Sequence, residues 1–174
     1  MYKNNHIWVI FVAAFLVRAA ALLVLPERGI AGDSKSYNDL AVRFIHGHGY
    51  TSSAAPELPD TRRLPGYPFF LALIYFIFGQ SLLAVKIFQF LIDSATCMLL
   101  YKASGLLFGR GVAVLAAALA VLYPPYILFA NFILSETLYI FLASLSVYFL
   151  VRAFKSGAER DFASSGLFMG LSNL

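Results

Sequence analysis

The chain has 174 residues, of which 60% are hydrophobic and only 13% charged. Soluble domains are about half apolar and about a quarter charged, so this balance excludes an ordinary soluble protein and predicts a membrane protein. The net charge of +4 comes from scattered basic residues, which argues against a nucleic-acid partner.

Residues 7–25 form the first apolar run. A bilayer crossing takes about 20 residues, and the core of a secretory signal about 7–15. The run is too long for such a core and no A-x-A site follows it, so it is read as an uncleaved membrane anchor. The segment 26–65 is the one sharp change in composition. It holds five of the nine acids (Glu27, Asp33, Asp39, Glu57, Asp60) and five basic residues (Arg28, Lys35, Arg43, Arg62, Arg63). Within it, Tyr37, Leu40, Ala41, Phe44 and Ile45 recur at helical spacing, which predicts a short amphipathic helix in the membrane interface. "GHGY" at 47–50 stops that helix, and "TSSAAPELPD" after it reads as loop.

The apolar pattern resumes over 66–79, 81–101, about 106–123 and 131–151, and a further run begins at 161–174. At 14 residues, 66–79 reaches only about 21 Å as a helix. Charge bias decides its status. If it does not span and the N-terminus is cytoplasmic, Lys3, Lys102, Arg110, Arg152, Lys155 and Arg160 all lie inside. If it spans, every one of these except Lys3 moves outside. The positive-inside rule selects the first arrangement. Pro124-Pro125 is then expected to mark an outer turn. The predicted fold is all-α: a single polytopic transmembrane helical bundle over 1–174, with juxtamembrane helices in a first outer loop at 26–80.

Several polar residues stand out against this background. Asp33 reads either as a helix N-cap, a role Ser34 can equally fill, or as a general base at the membrane face. Glu136 sits in the otherwise apolar "NFILSETLYIFL", and ionisable groups in membrane segments are functional candidates by default. Arg62 and Arg63 read either as headgroup-level cations or as a clamp for a phosphate. Arg18, Lys86 and Asp93 lie inside membrane helices, where structural pairing is expected of all three. Lys86, Gln89 and Asp93 share one helix face. His6, His46 and His48 do not converge, so no metal site is predicted. The lone Cys97 is read as a packing residue.

The ordered pieces "GDSKSYNDLA", "GHGY", "RRLPGYPFFLALIYFIFG" and "PPYILFANFILSETLYIFL" resemble the N-terminal part of the GT-C membrane glycosyltransferases. More narrowly, they resemble the bacterial branch related to protein mannosyltransferases and aminoarabinose transferases. The resemblance implies Asp33 as the catalytic acid residue after the first membrane helix and Glu136 as a supporting acid. It implies Arg62, Arg63 and Lys35 on the phosphate of the donor, and Tyr37 and Tyr67 lining the site. It further implies a polyprenyl-phosphate sugar donor, a lipid, glycan or protein acceptor, inversion at the sugar, no cofactor, and a site on the outer face of the inner cell membrane. Members of the family usually have eight or more membrane helices, so the chain is expected to be the N-terminal portion of such a domain. The alternative is a non-enzymatic membrane protein, a transporter fragment or partner subunit, which Lys86 and Asp93 keep open. Transporters place their polar residues near the midplane, whereas the cluster here is in an outer loop.

Overall fold

The computed structural model describes residues 5–26 and 30–173; Lys3, Glu27 and Arg28 lie outside the described residues. Helix α1 (Asn5–Val24) is followed by α2 (Asp33–Ile45), a ribbon of β1 (Thr51–Ser52) and β2 (Ala55–Pro59), and α3 (Gly66–Phe78). Then come α4 (Leu82–Phe108), α5 (Arg110–Leu122), α6 (Pro124–Asn131), α7 (Glu136–Ser156) and α8 (Glu159–Ser172). The protein is a helical membrane protein. Three helices are long and apolar enough to cross a bilayer: His6–Val24, Leu82–Phe108 and Glu136–Ser156. The pair α5 and α6, bent by 47°, qualifies as a fourth.

Helix α4 is the centre of the bundle and packs against α1, α5, α6 and α7, while α8 folds back on α7. The apolar side chains left outside the bundle fit a lipid environment. On α1, Trp8, Val9, Val12 and Leu16 are exposed, whereas Ala14 and Arg18 are buried. Helices α2 and α3 pack on each other and on the start of α4, through Tyr37, Ala41, Tyr67, Leu71, Tyr75 and Val85. The amphipathic face expected for α2 buries Tyr37, Leu40 and Ala41. Phe44, at its edge, is exposed and meets the ring of Phe69 at 4.8 Å.

Three local expectations are corrected. First, "TSSAAPELPD" is not all loop, because β1 and β2 pair antiparallel around Ser53 and Ala54. None of the Asn-Gly or Asp-Gly signals of a tight hairpin is present. The tip is instead pinned from α2: the Asp39 carboxylate accepts hydrogen bonds from the Ser53 backbone N–H (2.7 Å) and hydroxyl (3.0 Å). Pro56 and Pro59 are tolerated because a two-stranded ribbon has only edges. Second, neither Asp33 nor Ser34 caps α2. The helix starts at Asp33 itself, after Gly32, whose φ of 57° favours glycine, and no side chain caps it. Third, Pro124-Pro125 opens α6 instead of forming a turn. Proline suits a first helical turn, where its missing N–H costs nothing.

The break between α5 and α6 frees backbone carbonyls inside the bundle, where they must find donors within the protein. Arg18 supplies them at one end: it is fully buried and donates to Ala120 O (3.1 Å) and Val121 O (2.5 Å), with Asp93 as its counter-ion. Gln89 does the same for the carbonyls left open where α6 ends. Its Nε2 donates to the carbonyls of Phe129 (3.3 Å), Ala130 (3.0 Å) and Phe132 (2.7 Å). The elbow at 132–135 that launches α7 is therefore held from α4.

Candidate active site

The second turn of α2, the segment before α3, the start of α7 and the end of α8 meet around a cavity of about 450 Å³. Tyr37, Arg62, Arg63, Tyr67, Ser135 and Glu136 are among its lining residues. Five of these belong to the residues singled out in the sequence, and they come from three separate segments.

Each is positioned by local chemistry. Asp60 organises the two arginines: its Oδ1 accepts the backbone N–H groups of Arg62 (2.9 Å) and Arg63 (3.2 Å). This is an aspartate-anchored turn. The Arg62 guanidinium folds back on the same carboxylate, Nη2 to Oδ2 at 2.7 Å, and also reaches Ser52 Oγ at 3.3 Å. That contact holds the Asp60 carboxyl below its usual pKa, hydrogen bonding from Arg62 being the main cause. The Arg63 side chain goes the other way. It forms an ion pair with Asp33, and its guanidinium carbon lies 5.0 Å from the centre of the Tyr37 ring. Its backbone carbonyl accepts the Tyr50 hydroxyl at 2.9 Å. Burial, reinforced by Asp60, pushes Tyr50 up to about pKa 12, so Tyr50 stays a neutral donor.

The aromatic wall is fixed from behind. The Tyr37 hydroxyl meets Ser135 Oγ at 3.1 Å, and its ring stands edge-on to that of Tyr67 at 5.0 Å. Tyr67 donates to Gln89 Oε1 at 2.6 Å, and burial keeps its phenol well above the ordinary pKa. Glu136, the first residue of α7, is half-buried in the same wall.

The two arginines are thus not equivalent. Arg62 is committed to Asp60 on its own turn, while Arg63 bridges to Asp33 on another element. Asp33 is accessible, its side chain being 59% exposed against 28% for Arg63. Asp33 and Lys35 are both exposed, and neither lines this cavity or a larger one on the other side of the first turn of α2. Among the described residues no group of three or more His, Cys, Asp or Glu side chains is placed to hold a metal. Of the three intramembrane ions, Arg18 and Asp93 pair as expected, whereas Lys86 has no partner among the described residues. Asp60, Ser135 and Gln89 were not marked as site residues from the sequence. Asp60 was findable, because Asp two and three residues ahead of the arginines is the signature of such a turn. The other two depend on where α6 ends, which no local pattern marks.

Residues 59–174 match the family dolichyl-phosphate-mannose-protein mannosyltransferase. The matched segment includes Arg62, Arg63, Tyr67, Lys86 and Glu136; α1 and Asp33 precede it. A search of curated proteins returns no match. A search of solved structures returns none either. A family match over more than half of the chain, on a bundle of apolar helices, sets aside the non-enzymatic reading: the chain belongs to the dolichyl-phosphate-mannose-protein mannosyltransferase family and is a multi-pass, GT-C-type membrane glycosyltransferase.

Proposed function

We propose that this chain forms the catalytic corner of a transferase that moves a hexosyl or pentosyl unit from a polyprenyl-phosphate donor to an acceptor hydroxyl. The site lies on the extracytoplasmic face of the inner membrane, with the N-terminus in the cytoplasm. The observation that carries the reading is the ion pair between Asp33 and Arg63: Arg63 lines a cavity together with Arg62 and Glu136, and it ties Asp33, which does not itself line that cavity, to its edge. A donor phosphate competes with Asp33 for Arg63, because guanidinium binds phosphate bidentately. Once it does, the carboxylate is released as a base within reach of the same group. Lys35 adds positive charge on the first turn of α2.

The step balances without a cofactor. The acceptor hydroxyl oxygen bonds to the anomeric carbon while the bond from that carbon to the phosphate oxygen breaks. The bonding electrons leave with the phosphate, whose growing charge the arginines stabilise. The hydroxyl proton passes to Asp33. Attack opposite the leaving group inverts the anomeric centre. Glu136 supports the sugar from the α7 side, and Tyr37 and Tyr67 line its path.

The test is Asp33→Asn. Transfer is expected to fall by roughly 10²-fold or more, the usual contribution of a general base, with donor binding retained. Unchanged turnover would sink the assignment. Cysteine labelling tests the orientation: a Cys at Ser53 should react from outside, and one at Ser156 should not.

A further inference from the structure

A second, larger cavity of about 750 Å³ lies beside the first turn of α2. Gly32 and Ser34, the two neighbours of Asp33 in the chain, line it, but Arg62, Arg63 and Glu136 do not. Its walls are mainly apolar: Leu22 from the end of α1, Leu82 and Leu83 from the start of α4, and Ile133 and Leu134 from the elbow before α7. Among the described residues one cation lines it. Lys86, in the second turn of α4, lines the cavity and has no hydrogen-bond or ion-pair partner among the described residues. It differs in this from Arg18, Arg62 and Arg63, each of which has a carboxylate. Asn131 also lines the cavity. It is 2% exposed and faces inward, its Nδ2 donating to the carbonyls of Arg18 and Ile127 and its Oδ1 closed off from solvent.

An ammonium in an apolar-walled cavity needs a counter-charge, since an unpaired charge away from water is costly. We propose that this cavity binds one anionic phospholipid. Lys86 takes the phosphate, and the leucines of α1 and α4 receive the upper part of the acyl chains. The lipid is then seated against the turn that carries Asp33, in a different cavity from the arginines. This site stands whether or not Asp33 proves to be the base, because its test does not involve transfer.

The purified chain in detergent is titrated with phosphatidylglycerol or phosphatidylcholine, and bound lipid is counted by native mass spectrometry. Wild type should retain one phosphatidylglycerol per chain in preference to phosphatidylcholine. Lys86→Gln should weaken that retention about tenfold, the loss of one charge-assisted hydrogen bond. Lys86→Arg should restore it. The unfolding temperature of Lys86→Gln should match wild type, because Lys86 has no partner to lose among the described residues. Equal retention of the two lipids, retention unaffected by Lys86→Gln, or displacement by an equal concentration of inorganic phosphate each overturns the proposal. So does a loss that follows Arg63→Ala in place of Lys86→Gln, which would put the lipid in the arginine cavity.

Discussion

Arg18 and Arg63 are both arginines paired with an aspartate on a different element, yet they are built for opposite purposes. Arg18 is fully buried, and its guanidinium is divided among Asp93, Ala120 O and Val121 O. None of these partners is free to leave, because each would be stranded in the bundle. Arg63 is partly exposed, holds one carboxylate that is itself mostly exposed, and rests on an aromatic face. Water can replace either partner, so the pair can open for a ligand. Charge and partner type are the same in the two cases. What separates a girder from a contact that can be exchanged is the solvent available to the parted groups.

That difference can be broken in stages. Asp93→Asn leaves the Arg18 charge buried without its counter-ion, and should cost about 3–5 kcal/mol. Thermal unfolding in detergent reads this, and a loss under about 1 kcal/mol would make the two pairs alike. Arg63→Ala should change stability by less than about 1 kcal/mol, in the range of exposed ion pairs. Transfer should nevertheless fall by roughly 10²-fold, the cost of removing one charge-stabilising donor. A variant that unfolds instead would move Arg63 into the structural class. Gln89→Leu removes the donor to the α6–α7 elbow and the acceptor of Tyr67, and should destabilise by about 1–3 kcal/mol through the groups left unpaired. Tyr37→Phe loses one hydrogen bond to Ser135 and should cost about 1 kcal/mol at most.

The smallest effect concerns Asp60. Its pKa is depressed in the folded state, so its contribution is complete above the unfolded value of about 3.9 and is lost as pH falls through the folded one. Amide exchange at Arg62 should therefore accelerate only below about pH 4. Acceleration already near neutral pH would show that the turn does not depend on the carboxylate.

Much of the bundle was legible in the sequence because bilayer-length apolar runs leave few alternatives. The α2 face was legible too, since Tyr37, Leu40 and Ala41 recur with helical period. What the sequence did not disclose lies where tertiary contact replaces local signal. The β1–β2 ribbon has no Asn-Gly or Asp-Gly turn and is held by Asp39 from α2. The prolines at 124 and 125 mark a break, but their neighbours do not reveal that the chain continues as a helix on a new axis. Arg18, Lys86 and Asp93 were all visible as intramembrane ions. Which of them would pair depended on how α1 sits against α4. Asp33 appeared as a cap or a base, and the structure removes the cap by starting the helix on it.

Gln89 carries one last consequence. An amide has a polarity, and here both ends are assigned: Nε2 faces three carbonyls and Oε1 faces the Tyr67 phenol. Turning it over would set oxygen against carbonyl oxygen, so a single orientation is allowed. Tyr67 must therefore spend its proton inside the bundle. Although Tyr67 lines the cavity, it has no proton to give there.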